Sequence, residues 1–316
     1  MIDGYVRKLE CNSIAYEKDA DLSKLCSYGT GGRARIAVFP KNAEELACAL
    51  SDEIPYEVIG CGTNVLFSDS GYEGAVIVTG KMSKIECSGL SITAECGVSL
   101  KTLRETAVMN SLGGLEFTEG IPATVGGAVC MNAGCFSKCI GDYVSYVVTG
   151  GGVISGAACN FGYRTSIFGE CEADHKESDA DPEEESAAVK DVNDRKKRVI
   201  LSVCFILKPG EPDIIESKRE RFKKLRKNAQ PHGKSCGSVF LNDGYFAGKV
   251  IDSAGLKGYA VGGARVSEKH ANFILASDGA RSSDIYNLIK TIKKRVYETQ
   301  GIELKEEIRY IGKFDD

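Results

Sequence analysis

The chain has 316 residues, 43% of them hydrophobic and 27% charged, with 36 glycines and a formal net charge of −4. That composition excludes a disordered or fibrous chain, and it leaves no broad basic stripe for nucleic acid. No apolar run nears the ~20 residues that a membrane span requires.

The N-terminal MIDGYVRKLE has no apolar core of the kind a signal peptide needs. A cytoplasmic location without membrane insertion is therefore expected, with the thirteen cysteines reduced and the chain a monomer. There is no CxxC pair, and the only histidines are His175, His232 and His270, so no metal site is expected. The length predicts two or three domains.

In chain order, short β-branched runs alternate with helical periodicity from about Ala34 to Leu115, which predicts a mixed α/β unit. RIAVF (35–39) reads as a strand. After Pro40, Asn42 can cap a helix whose Glu45 stands at the capping-box position and whose Leu46, Ala49 and Leu50 face inward. YEVIG (56–60), VLF (65–67) and AVIV (75–78) read as further strands, and a short helix with Leu100, Leu103 and Ala107 on one side is expected between Ser99 and Ser111. Two later strands, VSYVVTG near 144 and VILSVCFIL at 199–207, bracket an insertion. Its residues 170–185 hold nine acidic side chains against one lysine, which predicts a mobile surface loop. KRERFKKLRK (218–227) carries seven basic residues, with Ile215, Phe222 and Leu225 recurring at helical spacing. Near the end, Ser283 precedes Ile285, Leu288, Ile289, Ile292 and Val296 in an amphipathic helix. No repeat of fixed period is present.

Two glycine-rich segments stand out. GCGTN (60–64) leaves a strand through a turn whose backbone N–H groups can approach an anion such as a pyrophosphate. Its spacing is not that of the GxGxxG fingerprint, and an ordinary glycine turn explains it equally well. GLEFTEGIPATVGGAVCMNAGCF (114–136) combines Gly120, Pro122, Gly126, Gly127 and Gly134 with Asn132 in a stretch too apolar for a solvated loop. Close approach to a planar cofactor and plain helix-on-strand packing are both open readings.

Eight blocks occur in the order GTGGRARIAVFP, GCGTNVLFSDSGYEGAVI, GLEFTEGIPATVGGAVCMNAGCF, FGYRTSIF, CGSVFLN, AGLKG, GGARVSEKHANFI and LKEEIRYIG. From about Tyr28 to Gly312 this pattern resembles the UDP-N-acetylenolpyruvoylglucosamine reductase family, and SEKHANFI is similar to the shorter of its two types. The resemblance implies an α+β protein. Two subdomains (1–80 and 81–209) would form an FAD-binding fold of the vanillyl-alcohol-oxidase type, followed by a C-terminal α+β substrate-binding domain (210–316). It implies FAD as cofactor, NADPH as hydride-donating co-substrate and UDP-N-acetylglucosamine enolpyruvate as substrate, in ping-pong half-reactions. The cofactor contacts it implies are Gly60, Cys61, Gly62, Thr63 and Asn64 in the first loop. In the second they are Gly120, Ile121, Pro122, Ala123, Thr124, Gly126 and Gly127.

The family's catalytic residues fall by motif on Arg164 in FGYR, Ser238 in CGSVF and Glu307 in LKEEIR. Alone, each reads as easily as a surface ion pair, a turn hydroxyl or an exposed charge. Together they suit the chemistry, because hydride addition to an enolpyruvyl ether builds negative charge on the carboxylate and enolate oxygens. Arg164 can stabilise that charge, a protonated Glu307 can add a hydrogen bond, and Ser238 can serve as proton donor to the neighbouring carbon. Asn242 is the expected contact for the uridine diphosphate. Arg226 is a second candidate, against which a solvated charge stands as the alternative. The chain departs from the family at Gly29, where many relatives carry arginine, at Asp243, which stands where proline often follows the asparagine, and in the acidic insertion.

Overall fold

The computed structural model describes residues 2–50, 54–169 and 195–314; the acidic stretch 170–185, expected as a mobile loop, lies outside the described residues. The chain begins with α1 (Ile2–Cys11), β1 (Ala15–Asp21), β2 (Arg33–Phe39), α2 (Ala43–Ala49), β3 (Tyr56–Ile59), β4 (Val65–Phe67) and β5 (Tyr72–Val78). The strands form a sheet of order β1-β2-β5-β3, antiparallel at β1–β2 and parallel at β2–β5 and β5–β3. A second sheet is antiparallel throughout. It starts at the edge with β6 (Ile85–Ser88) and β7 (Ser91–Glu95), then continues through Ile200–Ile206, Val144–Thr149 and Gly152–Ser155. Between β7 and its partner strands run α3 (Leu100–Met109) and α4 (Val125–Cys130).

The last part holds α5 (Pro212–Ala229), α6 (Ala247–Ser253), a three-stranded sheet and α7 (Ser282–Gln300). Its final strand, Arg309–Ile311, leaves this part and pairs in parallel with β4, directly after the GCGTN loop. No helix among the described residues is long and apolar enough to cross a membrane.

The central strand β5 is buried on both faces, and the alternation of side chains along β3 and β5 divides this part of the sheet between two cores, while β2 switches core at the register shift between Ala34 and Ile36. Ile36, Val38, Tyr56, Ala75 and Ile77 pack into one core with α1, α2, α3, α4 and the antiparallel sheet. Ala34, Ile59 and Val76 face the other core, which contains α6, α7 and the last strands. Successive residues of β5 thus belong to different cores.

Local signals place several helices as expected. Asn42 Oδ1 accepts the Glu45 N–H at 2.8 Å, and Ser99 Oγ accepts that of Thr102 at 2.9 Å, each satisfying a donor of an open first turn. The Glu45 carboxylate reaches back to the N–H of Lys41 rather than that of Asn42. Two expectations shift. In α5 Ile215 is buried and Phe222 stacks on Phe136 at 5.0 Å, but Leu225 is 41% exposed. The C-terminal helix starts at Ser282, one residue earlier than Ser283 suggests, because its cap is remote: the Asp69 carboxylate accepts the N–H groups of Ser282 and Ser283 at 2.8 and 2.9 Å.

Candidate active site

The GCGTN loop leaves the first sheet at β3 and leads into β4, which pairs with the final strand, so paired strands fix both its ends. Gly62 adopts φ +62°, and a Cβ there would collide with the Leu25 carbonyl. The N–H groups of Cys61, Gly62, Thr63 and Asn64 find no hydrogen-bond partner among the described residues. Four successive open donors on one turn, with no room for a side chain at Gly62, are the kind of groups that an anion-binding nest uses.

The second glycine segment meets this loop. A Cβ on Gly60 would collide with Oγ1 of Thr124, the residue that caps α4. Around it, Ile121 and Ala123 turn their N–H groups inward to Thr118 and Ile121 carbonyls, while Pro122 and Gly127 face solvent. Gly126 has a packing reason of its own, since a Cβ would lie 2.9 Å from the Cys96 Cβ. Gly120, at φ +75°, leaves room for the stem of Arg226, whose Cδ a Cβ would approach to 2.7 Å. The two loops therefore line one cleft, and the open donors of the first loop together with the missing side chains of both fit a dinucleotide such as FAD.

Glu307 lies beside this cleft. Asn64 Nδ2 donates to the Glu307 carbonyl at 3.0 Å, and the Glu307 N–H donates to the Val239 carbonyl at 2.7 Å. The side chain is 13% exposed, and its Oε1 sits 2.8 Å from Nε of Arg164 in an ion contact whose N–H is off-line from the oxygen. Burial pushes the Glu307 carboxyl above its ordinary pKa, with the Arg164 guanidinium opposing the shift.

Arg164 reaches Glu307 from a tight turn closed by hydrogen bonds between Gly162 and Thr165 at 3.1 and 3.4 Å. Its φ of +59° is a conformation that residues with a Cβ adopt at a cost of about 1–2 kcal/mol. Nη2 donates to the Gly134 carbonyl at 3.0 Å, leaving Nη1 without a partner among the described residues. Ser238 pairs with Phe273 through an isolated β-bridge and precedes Val239, the residue bonded to Glu307. Its Oγ is half-buried and makes no hydrogen bond among the described residues.

The structure thus joins Arg164 to Glu307 by side chains and brings Ser238 next to Glu307 through the backbone. Asn242 is nearby: its N–H donates to the Tyr163 hydroxyl at 3.4 Å, and its Oδ1 caps α6 by accepting from Ala247 at 2.9 Å. Arg226 is no solvated charge. It donates to the Glu119 carbonyl at 2.8 Å, to Gln230 Oε1 at 3.1 Å and to Cys135 Sγ at 3.1 Å, which ties α5 to the second glycine segment. Sequence reasoning gave no role to Tyr163 and noted Gly134 only as one glycine of the second segment; the contacts of both depend on a fold that no local spacing reveals.

The profile described as UDP-N-acetylenolpyruvoylglucosamine reductase, C-terminal domain, matches residues 229–311, and that of an FAD binding domain matches 34–160. A UDP-N-acetylenolpyruvoylglucosamine reductase of Caldicellulosiruptor bescii is 38% identical, over 97% of this chain and 94% of its own. Another, of Lactiplantibacillus plantarum, is 36% identical over 95% of both. The crystal structure of the corresponding Thermus caldophilus reductase superposes with a TM-score of 0.74 at 30% identity, covering 95% of this chain and 99% of that one.

Proposed function

Since the chain belongs to the UDP-N-acetylenolpyruvoylglucosamine reductase family, we propose that it reduces UDP-N-acetylglucosamine enolpyruvate to UDP-N-acetylmuramate, a precursor step of peptidoglycan synthesis, at the expense of NADPH. It is a flavin-dependent oxidoreductase. Held by the two glycine loops, FAD would supply the hydride-transfer chemistry that links NADPH to the enolpyruvyl double bond. NADPH and the enolpyruvyl ether would occupy the same face in turn, giving ping-pong kinetics.

The chain's own residues handle charge and protons. Arg164, with Nε at Glu307 and Nη2 at Gly134, keeps Nη1 for the substrate carboxylate, where negative charge grows. Glu307, whose pKa is raised by burial, can hold a proton and donate a hydrogen bond to the same enolate. Ser238 donates its hydroxyl proton to the carbon next to the carboxylate. A serine is a weak acid, so this step needs a strongly basic carbanion and a site closed to competing water. Asn242 and Arg226 serve the nucleotide end of the substrate. The reading places the enzyme in the cytoplasm as a monomer, with residues 1–80 and 81–209 cradling the flavin and 210–316 supplying substrate contacts.

The observation that carries this reading is the Arg164–Glu307 contact beside the open N–H groups of the GCGTN loop. Purified protein should show a flavin absorbance band and consume NADPH with the enolpyruvyl substrate; well-folded protein that does neither ends the proposal. Ser238→Ala should leave flavin reduction by NADPH nearly intact while slowing the second half-reaction by about 10²–10⁴-fold. Equal loss of both half-reactions would contradict the role of Ser238.

A further inference from the structure

We infer that Asn132 is a positioning residue for the substrate half-reaction, acting by holding the turn that presents Arg164. This rests on the reading of Arg164 given above. Asn132 follows α4 in the second glycine segment and is only 5% exposed, at φ +40°. A short polar side chain tolerates that backbone conformation better than most. Its amide spans two further segments: Nδ2 donates to the Gly162 carbonyl at 2.7 Å, and Oδ1 accepts the Gly141 N–H at 3.0 Å.

Gly162 opens the turn in which Arg164 takes its left-handed conformation. The carbonyl's other bond, from the Thr165 N–H, is long at 3.4 Å, so the Asn132 amide is the shorter tie on a strained turn. The packing leaves little freedom behind it. A Cβ on Gly141 would come within 2.6 Å of the Phe161 ring and 2.9 Å of Asn132 Oδ1. Gly141, Phe161 and the amide therefore lock together just ahead of Arg164.

The guanidinium end is anchored from the same stretch. Gly134, two residues beyond Asn132, accepts Arg164 Nη2. Residues 132–134 thus set both the backbone and the head of Arg164, and the same segment carries Gly120–Gly127 at the candidate flavin cleft. Through Asn132, the distance from the guanidinium to that cleft is set by the loop that lines it.

Two variants test this. Asn132→Gly keeps the positive φ and deletes both hydrogen bonds; Asn132→Asp keeps the acceptor for Gly141 and loses the donor to Gly162. In the FAD-loaded enzyme, stopped-flow measurements should show NADPH reducing the flavin at a nearly unchanged rate in both. Reoxidation by the enolpyruvyl substrate should fall by about a hundredfold, the typical cost of misplacing a group by an ångström. In an Arg164→Ala background, Asn132→Gly should add no further loss, because both changes remove one function. Additive losses, equal slowing of both half-reactions or a wild-type Asn132→Asp would overturn the inference. Hydrogen exchange read by mass spectrometry provides a readout independent of turnover. Both variants should speed exchange at residues 162–166, and unchanged exchange there would refute the tie. If wild-type protein does not reduce the substrate, the functional reading fails, while the exchange result still decides whether Asn132 holds the turn.

Discussion

Glu307 is held by its backbone between Asn64 and Val239, so its carboxyl cannot leave the buried position to find solvent. Burial raises its pKa despite Arg164, which gives a stability consequence of definite sign. A carboxyl whose folded pKa lies above its unfolded value binds protons better in the folded state. Its contribution is therefore complete below the ordinary value of 4.5 and is lost as pH rises through the raised folded value. Relative to Glu307→Gln, the wild type should lose stability as pH rises through that window, from 4.5 to the raised folded value, and run parallel to the variant above it, as read by urea midpoints across the range. Curves parallel within the window as well would show that burial does not bias this carboxyl. Arg164 makes the complementary point, because its backbone strain is useful only where Gly134, Glu307 and the Gly162 turn all constrain it.

At the scale of elements, α7 shows how a helix can depend on a remote residue. Its first two N–H groups are capped by Asp69, 213 residues before Ser282, and Ser282 is fully buried with its hydroxyl bonded to Thr30. Asp69→Ala should cost about 0.5–2 kcal/mol, the usual range for a lost N-cap, with Asp69→Asn losing less because one acceptor oxygen remains. Urea denaturation checks both, and an unchanged midpoint in Asp69→Ala would mean that solvent caps the helix equally well. By contrast α2 and α3 carry their caps, Asn42 and Ser99, beside their own first turns, so their starts were readable from spacing alone. Leu225 was misplaced for a related reason: helical periodicity says which residues share a face, and only the packing partner decides how far burial extends along it.

Across the whole molecule, the first sheet serves two cores, and the candidate flavin cleft opens where its β3–β4 connection meets the loop that leads into α4. A ligand in that cleft would bind the folded chain and not the unfolded one. Removing FAD should therefore lower the thermal midpoint, and adding it back at about a hundredfold over its Kd should restore about 2.7 kcal/mol. A midpoint indifferent to FAD would mean that the loops do not form its site. The strands at RIAVF, YEVIG, VLF and AVIV, the starts of α2 and α3 and the two glycine loops were legible from the sequence, because period, capping and turn chemistry act over a few neighbouring residues; α1, α4 and α6 were not, and the expected catalytic residues came from the resemblance rather than from spacing. Only the tertiary structure decided that Asn64 meets Glu307 across 243 residues, that Arg164 reaches Glu307, that Asn132 holds Gly162 and that the last strand closes on β4. Those contacts depend on how two cores share one sheet, and side-chain spacing along the chain carries no record of distances between segments that chain connectivity leaves free.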